Sequence, residues 1–332
     1  MAIKKQKIGE LFCGPGGVGL GAAKARVRHE GNTWMTEPVW INDFCNDTCN
    51  TWEQNILKYE RKVKAFKGDV EIFNCDVRDI NFNTIKPVDG LIFGFPCNDF
   101  SLVGEKKGIN GEFGPLYEYG VKVLKKKNPK WFMAENVGGI TSANNGEALK
   151  KILVEMKNAG YVLTAHKYKF EDYGIPQARH RIIIIGFRED LELTFEVPSP
   201  SYKYKTCGDV LEKPIQPHIK NNEFTKQSEK VIQRLRFIKP GENAWSEKIP
   251  KNLKLNVEKT RLSHIYKRLD PKKPSYTVTG GGGGGTHMYH WIEDRALTNR
   301  ERARLQTFPD SFEFKGSKES VRKQIGMAIP VD

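Results

Sequence analysis

Between residues 8 and 185, short apolar runs alternate with longer stretches in which apolar residues recur every three or four positions. The runs at residues 8–12, 39–43, 72–76, 90–93 and 131–134 predict strands, the fourth of them apolar enough to be buried on both faces. Leu20, Ala22, Ala23 and Ala25 predict one helix, and Leu116, Tyr119, Val123 and Leu124 a second. Leu149, Ile152, Leu153 and Met156 predict a third, stopped near Gly160. Residues 161–168 and 181–185 supply two late strands. Repeated strand–helix units of this kind make a doubly wound α/β sheet.

After Glu196 the pattern changes. Prolines fall at 198, 200, 214, 217, 240 and 250, long apolar runs are few, and Tyr202, Tyr204, Phe224, Phe237, Trp245 and Tyr266 are interspersed with lysines. A chain of 332 residues exceeds the usual single domain, so a second, smaller domain is expected here. The formal charge of +14 is concentrated in the same region: residues 196–290 hold 18 Lys and Arg against 9 Asp and Glu, a net of +9. Basic charge with interleaved aromatics fits a nucleic-acid face better than a merely solvated insert. No apolar run approaches membrane-spanning length, and the start lacks a signal peptide's apolar stretch. The six cysteines form no Cys-x-x-Cys pair or disulfide framework, which suits a reducing cytoplasm.

Candidate chemistry clusters where strands end. Cys97 follows the apolar run at residues 90–93, and Pro96 before it stiffens the backbone that carries the sulfur. By itself a single cysteine reads as a small core residue. Gly14-Pro15-Gly16-Gly17-Val18-Gly19 opens a helix with bare backbone that a pyrophosphate or an amino-acid carboxylate can approach. Asp43 after the second strand suits a ribose, and Asp76 after the third suits an adenine amino group. These residues point to an adenosyl cofactor and leave a nicotinamide dehydrogenase open. Glu135 follows the strand at 131–134, and Arg179 and Arg181 fall on one side of the next strand by its period of two. A thiol, a carboxyl and arginines at one sheet edge supply a nucleophile, a proton donor and an orienting clamp. His287 and His290 lack a cysteine pair, so no metal site is expected.

With these residues in place the chain resembles the bacterial DNA (cytosine-5)-methyltransferases of restriction–modification systems. The likeness runs through Phe12-Cys13-Gly14-Pro15-Gly16-Gly17, Pro96-Cys97-Asn98-Asp99-Phe100-Ser101, Glu135-Asn136-Val137 and Gln177-Ala178-Arg179-His180-Arg181. It resumes at Arg268-Leu269-Asp270, Pro274-Ser275-Tyr276-Thr277-Val278, Arg295-Ala296-Leu297-Thr298-Asn299-Arg300-Glu301, Arg304-Leu305-Gln306 and Gly326-Met327-Ala328-Ile329-Pro330-Val331. It implies a mixed, Rossmann-like sheet of the S-adenosylmethionine-dependent kind. Residues 1–195 plus 305–332 would form the catalytic domain, and 196–304 a target-recognition domain with its hinge. It further implies that Cys97 adds to C6 of a cytosine flipped out of duplex DNA while Glu135 shares a proton with N3. Arg181 would hold the base O2 and Glu135, with Arg179 in support. The implied cofactor, S-adenosylmethionine, would meet Phe12, Gly14, Pro15, Gly16 and Gly17 at its methionine end. Asp43 would take the ribose, Phe44 would lie on the adenine, Asp76 and Val77 would read its edge, and Pro96 and Leu116 would line the rest.

Departures from the family pattern are local. The stretch after Cys97 reads Asn110-Gly111-Glu112-Phe113-Gly114-Pro115, without the family's Asp-x-Arg, and Met327 stands where an Asn is usual. Gly280 to Gly285 is not followed by a Lys and is no P-loop; bare amides against DNA phosphate are expected there. The family continues with a helix beyond its last motif, whereas this sequence stops at Asp332, so a missing C-terminal helix or a second polypeptide completing the sheet is an expectation. The expected location is the bacterial cytoplasm, on the nucleoid. An RNA cytosine-C5 methyltransferase and a non-catalytic DNA-binding relative are the competing readings. The basic insert favours duplex DNA over RNA, and intact Cys97, Glu135 and Arg181 favour catalysis.

Overall fold

The computed structural model describes residues 2–64, 66, 68–95, 116–141, 146–256, 262–281 and 285–332. Pro96, Cys97 and the loop motif that follows them therefore lie outside the described residues. Two compact units emerge, residues 1–169 with 180–199 and residues 170–179 with 200–332. The stretch 305–332, expected with the catalytic domain, clusters with the second unit.

The first unit is built on a mixed sheet of eight strands. These are β1 (Ile3–Leu11), β2 (Val27–His29), β3 (Asn32–Asn42), β4 (Glu71–Phe73), β5 (Gly90–Gly94), β6 (Trp131–Val137), β7 (Tyr161–Lys169) and β9 (His180–Arg188). Their order is β2-β3-β1-β5-β6-β9-β7, with β4 on the far end of β3. The core strands β3, β1, β5 and β6 run parallel, β9 runs antiparallel to β6, and β7 is antiparallel to β9 and so shares the direction of the core strands. Chain order reverses between β1 and β5, which opens a crevice at their carboxyl ends where ligands of such sheets bind. Leu11, Trp40, Leu91, Phe93, Phe132 and Ile184 lie in the core of this unit.

Two strands depart from the sequence expectation. β1 begins at Ile3 and not Ile8, because Lys4, Lys5, Gln6 and Lys7 pair with β3 even though their side chains are polar. β6 continues through Val137, so Glu135 sits within the strand, opposite Gly94 and Ile183, and not after it. On one face α1 (Gly17–Lys24) packs near α2 (Asn46–Trp52), a π-helical turn at Glu53–Leu57, and α3 (Lys58–Lys64). Helices α4 (Tyr117–Lys127) and α5 (Glu147–Lys157) complete the covering set.

The second unit has little regular structure. It contains a two-stranded parallel pair, β8 (Gln177–Ala178) with β10 (Ser275–Tyr276), and the helices α6 (Cys207–Leu211), α7 (Glu229–Leu235), α8 (Asn299–Leu305) and α9 (Lys318–Met327). Irregular backbone leaves carbonyls that no ladder satisfies. Buried guanidiniums, each with five donors, take that place. Arg268 donates to the carbonyls of Leu235, His290 and Glu293. Arg300 donates to Lys220, Pro309 and Phe312, and Arg302 to Thr279. Arg234, likewise buried, donates to Leu253. Arg234 and Arg268 belong to the basic window, so those two charges are spent inside the fold, a correction to reading all of that charge as DNA-facing.

Of the Gly280–Gly285 run, expected to lay bare amides against phosphate, residues 282–284 lie outside the described residues. Gly280 lies against the backbone of Lys323, Gly285 faces the Tyr266 ring, and a Cβ on Gly326 would fall 1.9 Å from the Gly280 nitrogen. Gly280 and Gly326 allow backbone segments to touch, whereas Gly285 makes room for the Tyr266 ring. Among the described residues, no helix is long and apolar enough to cross a membrane.

Candidate active site

The loop after β1 is shaped by positive φ angles, +54° at Phe12, +56° at Gly14 and +95° at Gly16. Gly16 is doubly constrained: its conformation is left-handed, and a Cβ there would meet Ile56 at 2.4 Å and Trp52 at 2.9 Å. Gly16 caps α1, with Leu20 N donating to its carbonyl at 2.8 Å. The end of α2 and the π-helical turn thus press Trp52 and Ile56 onto the loop. Pro15 and Gly17 are buried within it, and Phe12 packs at the edge of the core.

Asp43, just past β3, is tied into this loop. Its Oδ2 accepts from Gly14 N and its Oδ1 from Cys45 N, both at 3.0 Å. Burial raises its pKa against the opposing pull of those amides. The carboxylate expected to meet a ribose therefore first shapes the glycine loop, leaving only the remaining lone pairs for sugar hydroxyls. The neighbouring Phe44 is 76% exposed. Asn42 Nδ2 donates to Phe73 and Cys75 carbonyls at 2.9 Å each, fixing the end of β4 beside β3. Asp76 follows, capping a short 3₁₀ turn at Val77–Asp79. Its Oδ1 accepts from Arg78 N and Nε at 2.9 Å each, and its Oδ2 from Arg78 Nη2 at 2.7 Å. The Arg78 side chain holds the Asp76 carboxyl below the usual carboxylate range. Val77 is buried under the turn, and Leu116 is buried at the start of α4.

On the other side of the reversal point, Gly94 at the end of β5 pairs with Glu135 of β6. A Cβ at Gly94 would lie 3.2 Å from Glu135 Oε2, so glycine leaves room for that carboxylate. Glu135 Oε1 accepts from Arg181 Nε at 2.8 Å, both side chains being nearly buried. Asn136 Nδ2 donates to the Phe95 carbonyl at 3.1 Å, which anchors the last described residue before Pro96 and Cys97. Arg181 lies opposite Val137 on β9.

Arg179 behaves differently. The strand is interrupted at this residue, between β8 and β9, which breaks the expected period of two. Its guanidinium donates to the carbonyls of Val278 at 3.0 Å and Gly326 at 3.1 Å within the second unit. Gln177 acts beside it, donating to Leu305 O and Gln306 Oε1 and accepting from Val278 N. The structure thus brings Glu135 and Arg181 together and joins Asp43 to Gly14. It engages Arg179 with main chain, and Cys97 and Pro96 lie outside the described residues.

Sequence reasoning passed over two residues. Arg78, two positions after Asp76, carries a local signal, since an Asp so placed readily caps the turn that brings the arginine back. Glu10, in β1, is 3% exposed and accepts from Trp52 Nε1 at 3.3 Å. Burial, joined by the charge of Asp43, raises its pKa to about 8. Nothing local signals that burial beyond an acid inside an apolar strand. Among the described residues, no group of three or more His, Cys, Asp or Glu could hold a metal ion. His290 Nδ1 instead accepts from Ile292 N and Glu293 N.

Residues 6–332 match the model of the C-5 cytosine-specific DNA methylase family. The chain is 53% identical over 335 residues to the type II methyltransferase M.BbvI of Brevibacillus brevis, covering 99% of this chain and 88% of that one. It is 40% identical to M.NgoFVII of Neisseria gonorrhoeae, covering 98% and 83%. Among solved structures, a prophage-encoded DNA modification methyltransferase of E. coli shares the fold with a TM-score of 0.67 at 23% identity, over 98% of this chain and 95% of that one. The DNMT2 of Spodoptera frugiperda shares it with a TM-score of 0.63 at 14% identity, over 98% and 96%. The chain belongs to the C-5 cytosine-specific DNA methylase family and is a DNA (cytosine-5)-methyltransferase.

Proposed function

We propose that this methyltransferase works through Cys97, Glu135 and Arg181 on a cytosine flipped out of duplex DNA, with S-adenosylmethionine as methyl donor. The observation that carries the reading is the register of β5 on β6. It sets Gly94 beside Glu135, whose carboxylate is already held by Arg181. Cys97 follows Phe95 by only two residues, a reach of about 7 Å along an extended chain.

C5 of cytosine is a weak nucleophile. Addition of the Cys97 thiolate to C6 forms the S–C6 bond and sends the C5=C6 electron pair toward C5. Glu135 holds a proton at N3 and relieves the charge that develops on the ring. Arg181 keeps Glu135 Oε1 fixed and, on this reading, also faces the base O2. After C5 has gained its methyl group, loss of the C5 proton to a base re-forms the double bond and expels Cys97 as thiolate. Arg179 supports the region from main-chain contacts and does not touch the base.

The residues of the first unit fit the methyl donor. An aromatic side chain as exposed as Phe44 gains from a planar partner, and the Gly14–Gly17 backbone offers amides without side chains. In this proposal Phe12, Gly14, Pro15, Gly16 and Gly17 hold the methionine end, Asp43 the ribose, Phe44 the adenine face, and Asp76 with Val77 its edge. Pro96 and Leu116 line the remainder. S-adenosylmethionine, when bound, supplies the electrophilic methyl group.

We assign target recognition to residues 196–304, with the lysines rather than the buried Arg234 and Arg268 meeting phosphate. The type II relatives support a role as the modification enzyme of a restriction–modification pair, acting on the chromosome in a bacterial cytoplasm. A second polypeptide is not part of the proposal. The test is transfer of tritiated methyl to duplex DNA and to tRNA, with bisulfite sequencing to locate the product. Transfer to DNA that is lost in Cys97→Ala, with DNA and cofactor still bound, is the expected result. Substantial turnover by Cys97→Ala would overturn the mechanism.

A further inference from the structure

The Asp76–Arg78 fork lies on the short turn that follows β4. Asp76 and Arg78 side chains are 37% and 47% exposed, so the pair contributes little to fold stability. Yet it is fully formed, with three donors of one residue on one carboxylate. A carboxylate offers about four lone-pair positions. Arg78 N and Nε occupy both on Oδ1, and Nη2 occupies one on Oδ2. Among the described residues, one position, on Oδ2, is left for a partner. The turn that carries the pair is anchored from beneath by buried Val77 and from the side by Asn42, which donates to the Phe73 and Cys75 carbonyls. The carboxylate is therefore held at both its backbone and its head.

We propose that Arg78 is a positioning residue for cofactor recognition: its fork aims the last lone pair of Asp76 Oδ2 at the exocyclic amino group of adenine and so sets the preference for adenine over a 6-oxo purine. This deepens the reading of Asp76 as the group that meets the adenine edge, and rests on it. A 6-oxo purine presents an acceptor where adenine presents a donor. A carboxylate free to rotate would move away from that oxygen, whereas one pinned by the fork cannot. Arg78 thus acts through Asp76 without touching the cofactor. A lysine at the same place would keep the charge and lose the two-pronged geometry.

The test is equilibrium binding of S-adenosylhomocysteine and of its deaminated counterpart, S-inosylhomocysteine, to the full chain by calorimetry. The variants are Arg78→Met, Arg78→Lys and Asp76→Ala, each checked for an unchanged melting temperature. The wild-type chain is expected to favour the adenosyl ligand by roughly tenfold to a hundredfold, the scale of one hydrogen bond to a charged group. Arg78→Met and Arg78→Lys should both reduce that preference to about threefold or less, mainly by weakening the adenosyl ligand. If Asp76→Ala abolishes the preference while both Arg78 variants keep it, the positioning role is wrong and the adenine reading stands. If Asp76→Ala leaves the preference intact, the adenine reading itself fails and the proposal with it.

Discussion

Glu10→Gln isolates the consequence of burying an acid beneath the glycine loop. Glu10 lines a cavity of about 10 Å³ together with Thr36, Trp52 and Glu60, and its Oε2 accepts from Trp52. Its carboxyl has an ordinary value of 4.5 and is pushed up to about 8 in the folded chain, chiefly by burial. Below pH 4.5 both folded and unfolded chains hold the proton, and the position costs nothing. Between 4.5 and 8 the unfolded chain gives up the proton while the folded chain keeps it, so stability falls as pH rises. Each pH unit in that window costs about 1.4 kcal/mol, and the whole window on the order of 5 kcal/mol as an upper bound. Glutamine is neutral throughout and still offers an oxygen to Trp52. The variant should match the wild-type chain at pH 5 within about 1 kcal/mol and exceed it by several kcal/mol at pH 9. Urea unfolding followed by tryptophan fluorescence at unit pH steps measures the difference, in which titrations common to both chains largely cancel. A difference that does not change with pH would show that Glu10 is not held protonated, and the account of its burial would be wrong.

Glu135→Gln should keep DNA affinity and lose about 10²- to 10⁴-fold in single-turnover methyl transfer, because an amide cannot give a proton to N3; an unchanged rate would remove Glu135 from the mechanism. Arg300→Met should lower unfolding free energy by about 3 kcal/mol or more, since the carbonyls of Lys220, Pro309 and Phe312 lose their donor together. Arg300→Lys should rescue little of it, as an ammonium cannot span three carbonyls. A melting temperature within a degree of the wild-type chain for Arg300→Met would refute that role.

Residues 90–93 and 182–185 announce central strands by apolar content alone, since a strand covered on both faces has no polar side to show. The Gly14–Gly19 loop is legible for the same kind of reason: only glycine fits the left-handed, crowded position at Gly16. Motif order leads to the expectation that Cys97, Glu135 and Arg181 act as a set; the Gly94–Glu135 register sets Glu135 beside the end of β5, and the ion pair brings Arg181 to it. Other features depend on partners distant in sequence. Lys4 to Lys7 become a strand because β3 offers them a ladder, and their polar side chains give no sign of it. Whether an arginine meets phosphate or a carbonyl cannot be read from its charge. Arg268 and Arg300 serve main chain because the second unit has too few ladders to satisfy its own carbonyls. Glu10 is the sharpest case. Residue type makes it an exposed acid, and only the packing of Trp52 and α1 over β1 removes the water that would have kept it charged.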